Sequence, residues 1–114
     1  MIAALLQEKL RAVVQYVPGR TKIRKVAVCC GSGGEFHLEA KTLGCDALLT
    51  GEARYHDFID AQASGIGLFA CGHFETEAGI CRVLQQRLRS KFPELPVFVS
   101  DRLNPIITVN ENGC

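Results

Sequence analysis

The stretch DALLTGEARYHDFIDAQASGIGLFACGH, residues 46–73, decides the fold. It opens with Asp46 to Thr50, a short apolar run that reads as a buried strand ending at Gly51. Arg54 to Ser64 carries apolar Phe58, Ile59 and Ala61 and reads as a helix, with Gly65 behind it. Ile66 to Cys71 is a second apolar run of strand length, closed by Gly72. Strand, helix and strand in this order predict two parallel strands joined by a right-handed crossover.

The alternation continues in both directions. Upstream, Lys25 to Cys30 reads as a strand rich in valine and cysteine, Gly31-Ser32-Gly33-Gly34 as a turn, and Glu35 to Leu43 as a helix stopped by Gly44. Before these, Ile2 to Tyr16 places Leu5, Leu6, Leu10, Val13, Val14 and then Val17 at helical spacing, and Pro18-Gly19 ends the pattern. Downstream, Thr76 to Phe92 is the longest expected helix, with Ile80, Val83, Leu84 and Leu88 on one face. Pro93 and Pro96 bracket a turn before an expected strand at Val97 to Ser100, and Ile106 to Val109 reads as an edge strand. The expectation is therefore an α/β fold, a mostly parallel sheet of four or five strands with helices on both faces. One domain is expected over residues 1–109, with a flexible tail at 110–114.

The chain has 114 residues, enough for one independent core. Thirteen basic against 12 acidic side chains leave a net charge of +1, which gives no electrostatic footprint for nucleic acid. No apolar run is long enough to span a membrane, and Met1 to Leu6 makes a poor signal peptide, so a cytoplasmic protein is expected. Six cysteines without any C-x-x-C pair read as reduced, mostly buried thiols.

Ligands of open parallel sheets gather beyond the carboxyl ends of the strands. Three turns lie there in this reading: Gly31 to Gly34, Gly51-Glu52 and Gly72-His73. Gly72-His73-Phe74-Glu75-Thr76-Glu77 carries the sharpest signal. His73 and Glu77 are four apart and share a helix face, and imidazole with carboxylate suits zinc, iron or manganese. An ion pair at a helix start is the plainer account of the same spacing. Gly31, Ser32, Gly33 and Gly34 lead from a strand into a helix, where backbone amides favour a phosphate or carboxylate; a simple tight turn competes. Glu52 and His56 are also four apart and would share a helix face, and Asp57 is the neighbour of His56; these three are candidates to orient water or carry protons, while Glu52 equally serves a helix dipole. Glu75 and Thr76 are expected to cap or support, and His37 reads as a surface histidine.

Taken together, Val26 to Gly34, Gly44 to Glu52 with Tyr55-His56-Asp57, and Gly72 to Glu77 resemble the carboxyl-terminal half of the NGG-interacting-factor-three-like family. Its members carry a dinuclear metal centre and are commonly named GTP cyclohydrolase I type 2 homologues. The resemblance covers roughly residues 24 to 100. It implies that His73 and Glu77 are ligands to divalent metal ions, that Ser32, the glycine turn and His56 line the site, and that the intact protein is a toroidal homo-oligomer. Any hydrolysis would use a metal-bound water. The family's remaining ligands, a histidine pair and an aspartate, belong to an amino-terminal half that this sequence lacks, so it reads as a partial chain. Two functions follow as expectations. One is a metal-dependent hydrolase domain acting on a nucleotide or other small molecule, supplying part of a dinuclear site. The other is a non-catalytic metal-binding, oligomerisation or protein-interaction module.

Overall fold

A computed structural model describes residues 1–101 and 104–106. The chain divides into two compact units, Met1–Glu77 and Ala78–Cys114. The span 1–109 expected as one domain crosses that boundary.

In the first unit, helix α1 (Ile2–Leu10) precedes strands β1 (Gln15–Val17) and β2 (Val26–Cys29). A 3-10 turn at Gly34–Phe36 leads into α2 (His37–Thr42), then β3 (Ala47–Thr50), α3 (Tyr55–Ser64), β4 (Gly67–Ala70) and α4 (His73–Glu77). The four strands lie in the order β1-β4-β3-β2. Strands β2, β3 and β4 are parallel, with Cys29 beside Thr50 and Thr50 beside Ala70. β1 is antiparallel to β4, pairing Gln15 with Ala70 and Val17 with Leu68.

The sheet is thus mixed, which corrects the expectation of a mostly parallel one. The cause lies in the first helix. It stops at Leu10, where Arg11 turns left-handed at φ 52°. Val13, Val14 and Val17 had been counted into its apolar stripe, but β-branched residues suit strands better. The chain leaves the helix and lays Gln15–Val17 along the outer edge of β4.

Side chains alternate across the sheet. On one face Ala47, Phe69 and Cys71 pack with Ala3 and Ala12, joined by Leu6 and Leu10 of α1. On the other, Leu48, Ile66 and Leu68 pack with Ala40 and Ala61, joined by Phe58 and Val17. Helices therefore cover both faces. Each buried leucine or isoleucine contributes about 1.5–3 kcal/mol of transfer free energy. At the amino ends of the strands, the Asp46 carboxylate accepts hydrogen bonds from the amides of Arg24 and Lys25, both at 2.9 Å, and from the Thr21 hydroxyl at 3.1 Å. These bonds hold the entry to β2 beside β3.

The second unit contains α5 (Gly79–Lys91). The single helix expected from Thr76 to Phe92 is two helices, α4 and α5, interrupted at Ala78 before Gly79, whose helix propensity is poor. Val97 to Ser100 is not a strand, a second correction. The Val97 carbonyl accepts from the Gln85 amide at 3.0 Å and from the Arg89 guanidinium at 2.8 Å, so side chains take the bond a ladder would need. Ile106 is not in a strand either. The rest of that expected strand, and the tail, lie outside the described residues.

Candidate functional site

The three turns do meet. Beyond the strands, the Cys71 amide donates to the Thr50 carbonyl at 2.9 Å, Gly72 to Gly51 at 2.8 Å and Glu52 to Gly31 at 2.9 Å. The ladder thus runs on into the loops and fixes them against one another. The Thr50 hydroxyl adds a clasp: it donates to the Gly31 carbonyl at 3.0 Å and accepts the Gly33 amide at 2.9 Å. Thr50 is 1% exposed, so these bonds exchange little with water. A Cβ on Gly33 would lie 2.6 Å from the Cys29 sulfur and 2.9 Å from the Thr50 hydroxyl, so only glycine fits beneath the clasp.

His73 opens α4 and Glu77 ends it. Their facing atoms, Nε2 and Oε1, are 3.3 Å apart. On the other side of the ring, Glu52 Oε2 stands 3.6 Å from Nδ1, and Ser32 donates to the same oxygen at 3.1 Å. Ser32, Glu52, His73 and Glu77 therefore form one row, with a carboxylate facing each imidazole nitrogen. All three titratable members are about half exposed, so ions and water reach them. Gly31 covers the row with a left-handed φ of 72°, and a Cβ there would lie 3.6 Å from Glu77 Oε1.

Beside the row is a cavity of about 220 Å³ lined by Ser32, Glu35, Glu52, Ala53, Arg54 and Asp57. Arg54 caps α3. The Asp57 carboxylate takes its amide at 2.8 Å and its guanidinium at 3.2 Å. Asp57 is 5% exposed. Burial pushes its carboxyl pKa up, but the hydrogen bonds and charge of Arg54 outweigh burial and hold it below the usual value.

The expected site residues divide. Glu52, Ser32, His73 and Glu77 come together. Gly31 and Gly33 shape the turn, but the Gly33 amide is committed to Thr50, and the Ser32 hydroxyl between them is committed to Glu52. Gly34 backs onto Ala53 and Asp57. His56 stands apart, exposed, with its ring at 82° to that of Tyr55. Glu52 precedes α3 rather than lying within it, so the shared face expected for Glu52 and His56 does not form. Thr76 supports α4 by donating to the Gly72 carbonyl at 2.8 Å.

Sequence reasoning missed two residues. Thr50 gave no signal beyond its place at a strand end, and Arg54 none beyond the start of a helix. Asp57, a candidate beside His56, instead serves Arg54 in a capping box. His37 is no surface histidine but 3% exposed; its Nδ1–H donates to the Gly34 carbonyl at 2.8 Å, and its Nε2 is buried without a hydrogen-bond partner among the described residues. Among the described residues the cysteines are free thiols; Cys71 is buried, but Cys30 and Cys81 are exposed, against the expectation of mostly buried thiols.

Imidazole and carboxylate facing one point fit a divalent cation in part. Among the described residues, however, no group of three or more His, Cys, Asp and Glu side chains is arranged to hold one.

The chain matches the family model described as Duf34/NIF3 (NGG1p interacting factor 3) over residues 1–105. It is 36% identical over 101 residues to a GTP cyclohydrolase 1 type 2 homolog of Pyrococcus abyssi, covering 87% of this chain and 40% of that protein. It is 39% identical over 77 residues to NIF3-like protein 1 of Mus musculus, covering 65% and 20%. A solved structure described as protein ybgI, of unknown function, superposes with a TM-score of 0.81 at 30% identity, over 92% of this chain and 43% of that one. The Staphylococcus aureus hypothetical protein SA1388 superposes with a TM-score of 0.78 at 26% identity, over 94% and 38%. The chain thus spans well under half the length of these relatives.

Proposed function

The chain belongs to the Duf34/NIF3 family, and on that premise we propose that it supplies part of the metal centre of a metal-dependent hydrolase acting on a nucleotide or related small molecule. The observation that carries this is the row in which His73 stands between Glu77 and Glu52. His73 Nε2 and Glu77 Oε1 would hold a divalent cation of the zinc, iron or manganese type. With Nε2 given to the cation, Nδ1 keeps its proton and faces Glu52, which fixes the ring's tautomer and orientation. Ser32 steadies that carboxylate by donating to it. When bound, the cation would supply an acidified water as nucleophile. Glu52, in reach of solvent and of the imidazole, is better placed than His56 to carry the proton released. Among the described residues no third donor completes a site with His73 and Glu77, so further donors would be supplied by the rest of a full-length relative or by a second copy.

The test is a titration of the chain with zinc, read by thermal unfolding. Ligand binding to the folded state raises Tm. Zinc should stabilise the unaltered protein, and His73→Ala should weaken its binding by about 10-fold or more. Equal zinc stabilisation in both proteins would remove His73 from the ligand set.

A further inference from the structure

A second cavity, of about 330 Å³, adjoins the first: Ala53 lines both. Its other lining residues are Gln15, Tyr16 and Val17 of β1 with Tyr55 and Phe58 of α3. We infer that this cavity is a subsite for a flat heteroaromatic ring belonging to the molecule whose reacting group lies at the Glu52–His73–Glu77 row. The inference rests on the hydrolase reading and deepens it by naming the class of substrate.

Five observations carry it. Tyr55 and Phe58 are three apart, so their rings share one face of α3 and form one side of the cavity. Val17 belongs to the same packed face as Phe58. Gln15 is two residues from it along β1, so it points the same way; Tyr16 turns to the opposite side, where its ring stacks on Phe69 with centroids 5.3 Å apart. Gln15 therefore brings to an aromatic slot a primary amide that both donates and accepts, which suits the edge of a heterocycle rather than a plain hydrocarbon. Tyr55 is 77% exposed and meets the His56 ring at 82° rather than stacked on it, so stacking is open to a large ring. The volume is at the small end of the range for ligand sites, the size of a ring rather than of a protein partner. Finally, Ala53 is common to both cavities and Glu52 precedes it in the chain, which sets the aromatic slot beside the row of donors.

Guanosine monophosphate and ribose 5-phosphate form a suitable pair of probes, since they differ only by the base. Calorimetric titration of the full chain should show the first binding at least about 10-fold more tightly, the lower part of the range that stacking on an aromatic side chain gives. Tyr55→Ala should erase most of that difference without changing ribose 5-phosphate binding, and Tyr55→Phe should restore it. His73→Ala separates the two readings. If zinc binding survives that substitution while the base preference persists, the metal assignment fails and the ring subsite stands. Equal affinity for the two probes, no binding of the nucleotide, or a nucleotide affinity unchanged in Tyr55→Ala overturns the subsite whatever the metal does.

Discussion

At the scale of single residues, the site depends on a hydroxyl that bonds neither His73 nor Glu77. The Thr50 hydroxyl joins the Gly31 carbonyl to the Gly33 amide inside the sheet edge. Thr50→Val keeps the shape and removes both bonds. A buried amide left without an acceptor costs about 1–3 kcal/mol, so urea unfolding should show a loss of that size. A change below about 0.5 kcal/mol would mean that water replaces the hydroxyl. The same residues show why part of the site could not be read from the chain. His73 and Glu77 are local partners, four apart on one helix, and their meeting follows from helix geometry alone. Thr50 and Gly33 are 17 apart, and His37 is buried because tertiary packing closes over it; neither fact has a local signature.

At the scale of elements, the parallel core β2–β3–β4 was legible because its strands are short apolar runs separated by glycine and helical spacing. β1 was not, since three residues at the end of a helical stripe satisfy both periods. Asp46, at the opposite end of the sheet from the site, links two of the legible strands. The backbone hydrogen bond from Arg24, then that from Lys25 and the bond from Thr21, hold its carboxyl pKa below the usual value, against a smaller opposing effect of burial. A carboxyl whose folded pKa is depressed adds stability above its unfolded pKa, about 3.9, and loses it as pH falls through the folded value. Asp46→Asn should therefore lower the urea midpoint near neutral pH and flatten the acid limb below about pH 4. Parallel acid limbs in the two proteins would show that Asp46 titrates alike folded and unfolded.

At the scale of the whole molecule, the α/β class and the gathering of three turns on one sheet edge were expected and are present, while the mixed sheet and the missing strand at Val97 to Ser100 were not. Among the described residues no helix is long and apolar enough to cross a membrane. The continued ladder from Gly31 through Glu52 and from Gly51 to Gly72 has a consequence for dynamics. Loops at binding sites usually open far more readily than the sheet that carries them. Here the amides of Glu52 and Gly72 are tied as the strands are, so their hydrogen exchange should be as slow as that of Leu48 or Leu68. Exchange faster by about 100-fold or more would reveal an independently opening edge. With slow exchange, the donors of this edge are ordered by folding itself, and an arriving cation would lose its hydration shell without also having to freeze a loop.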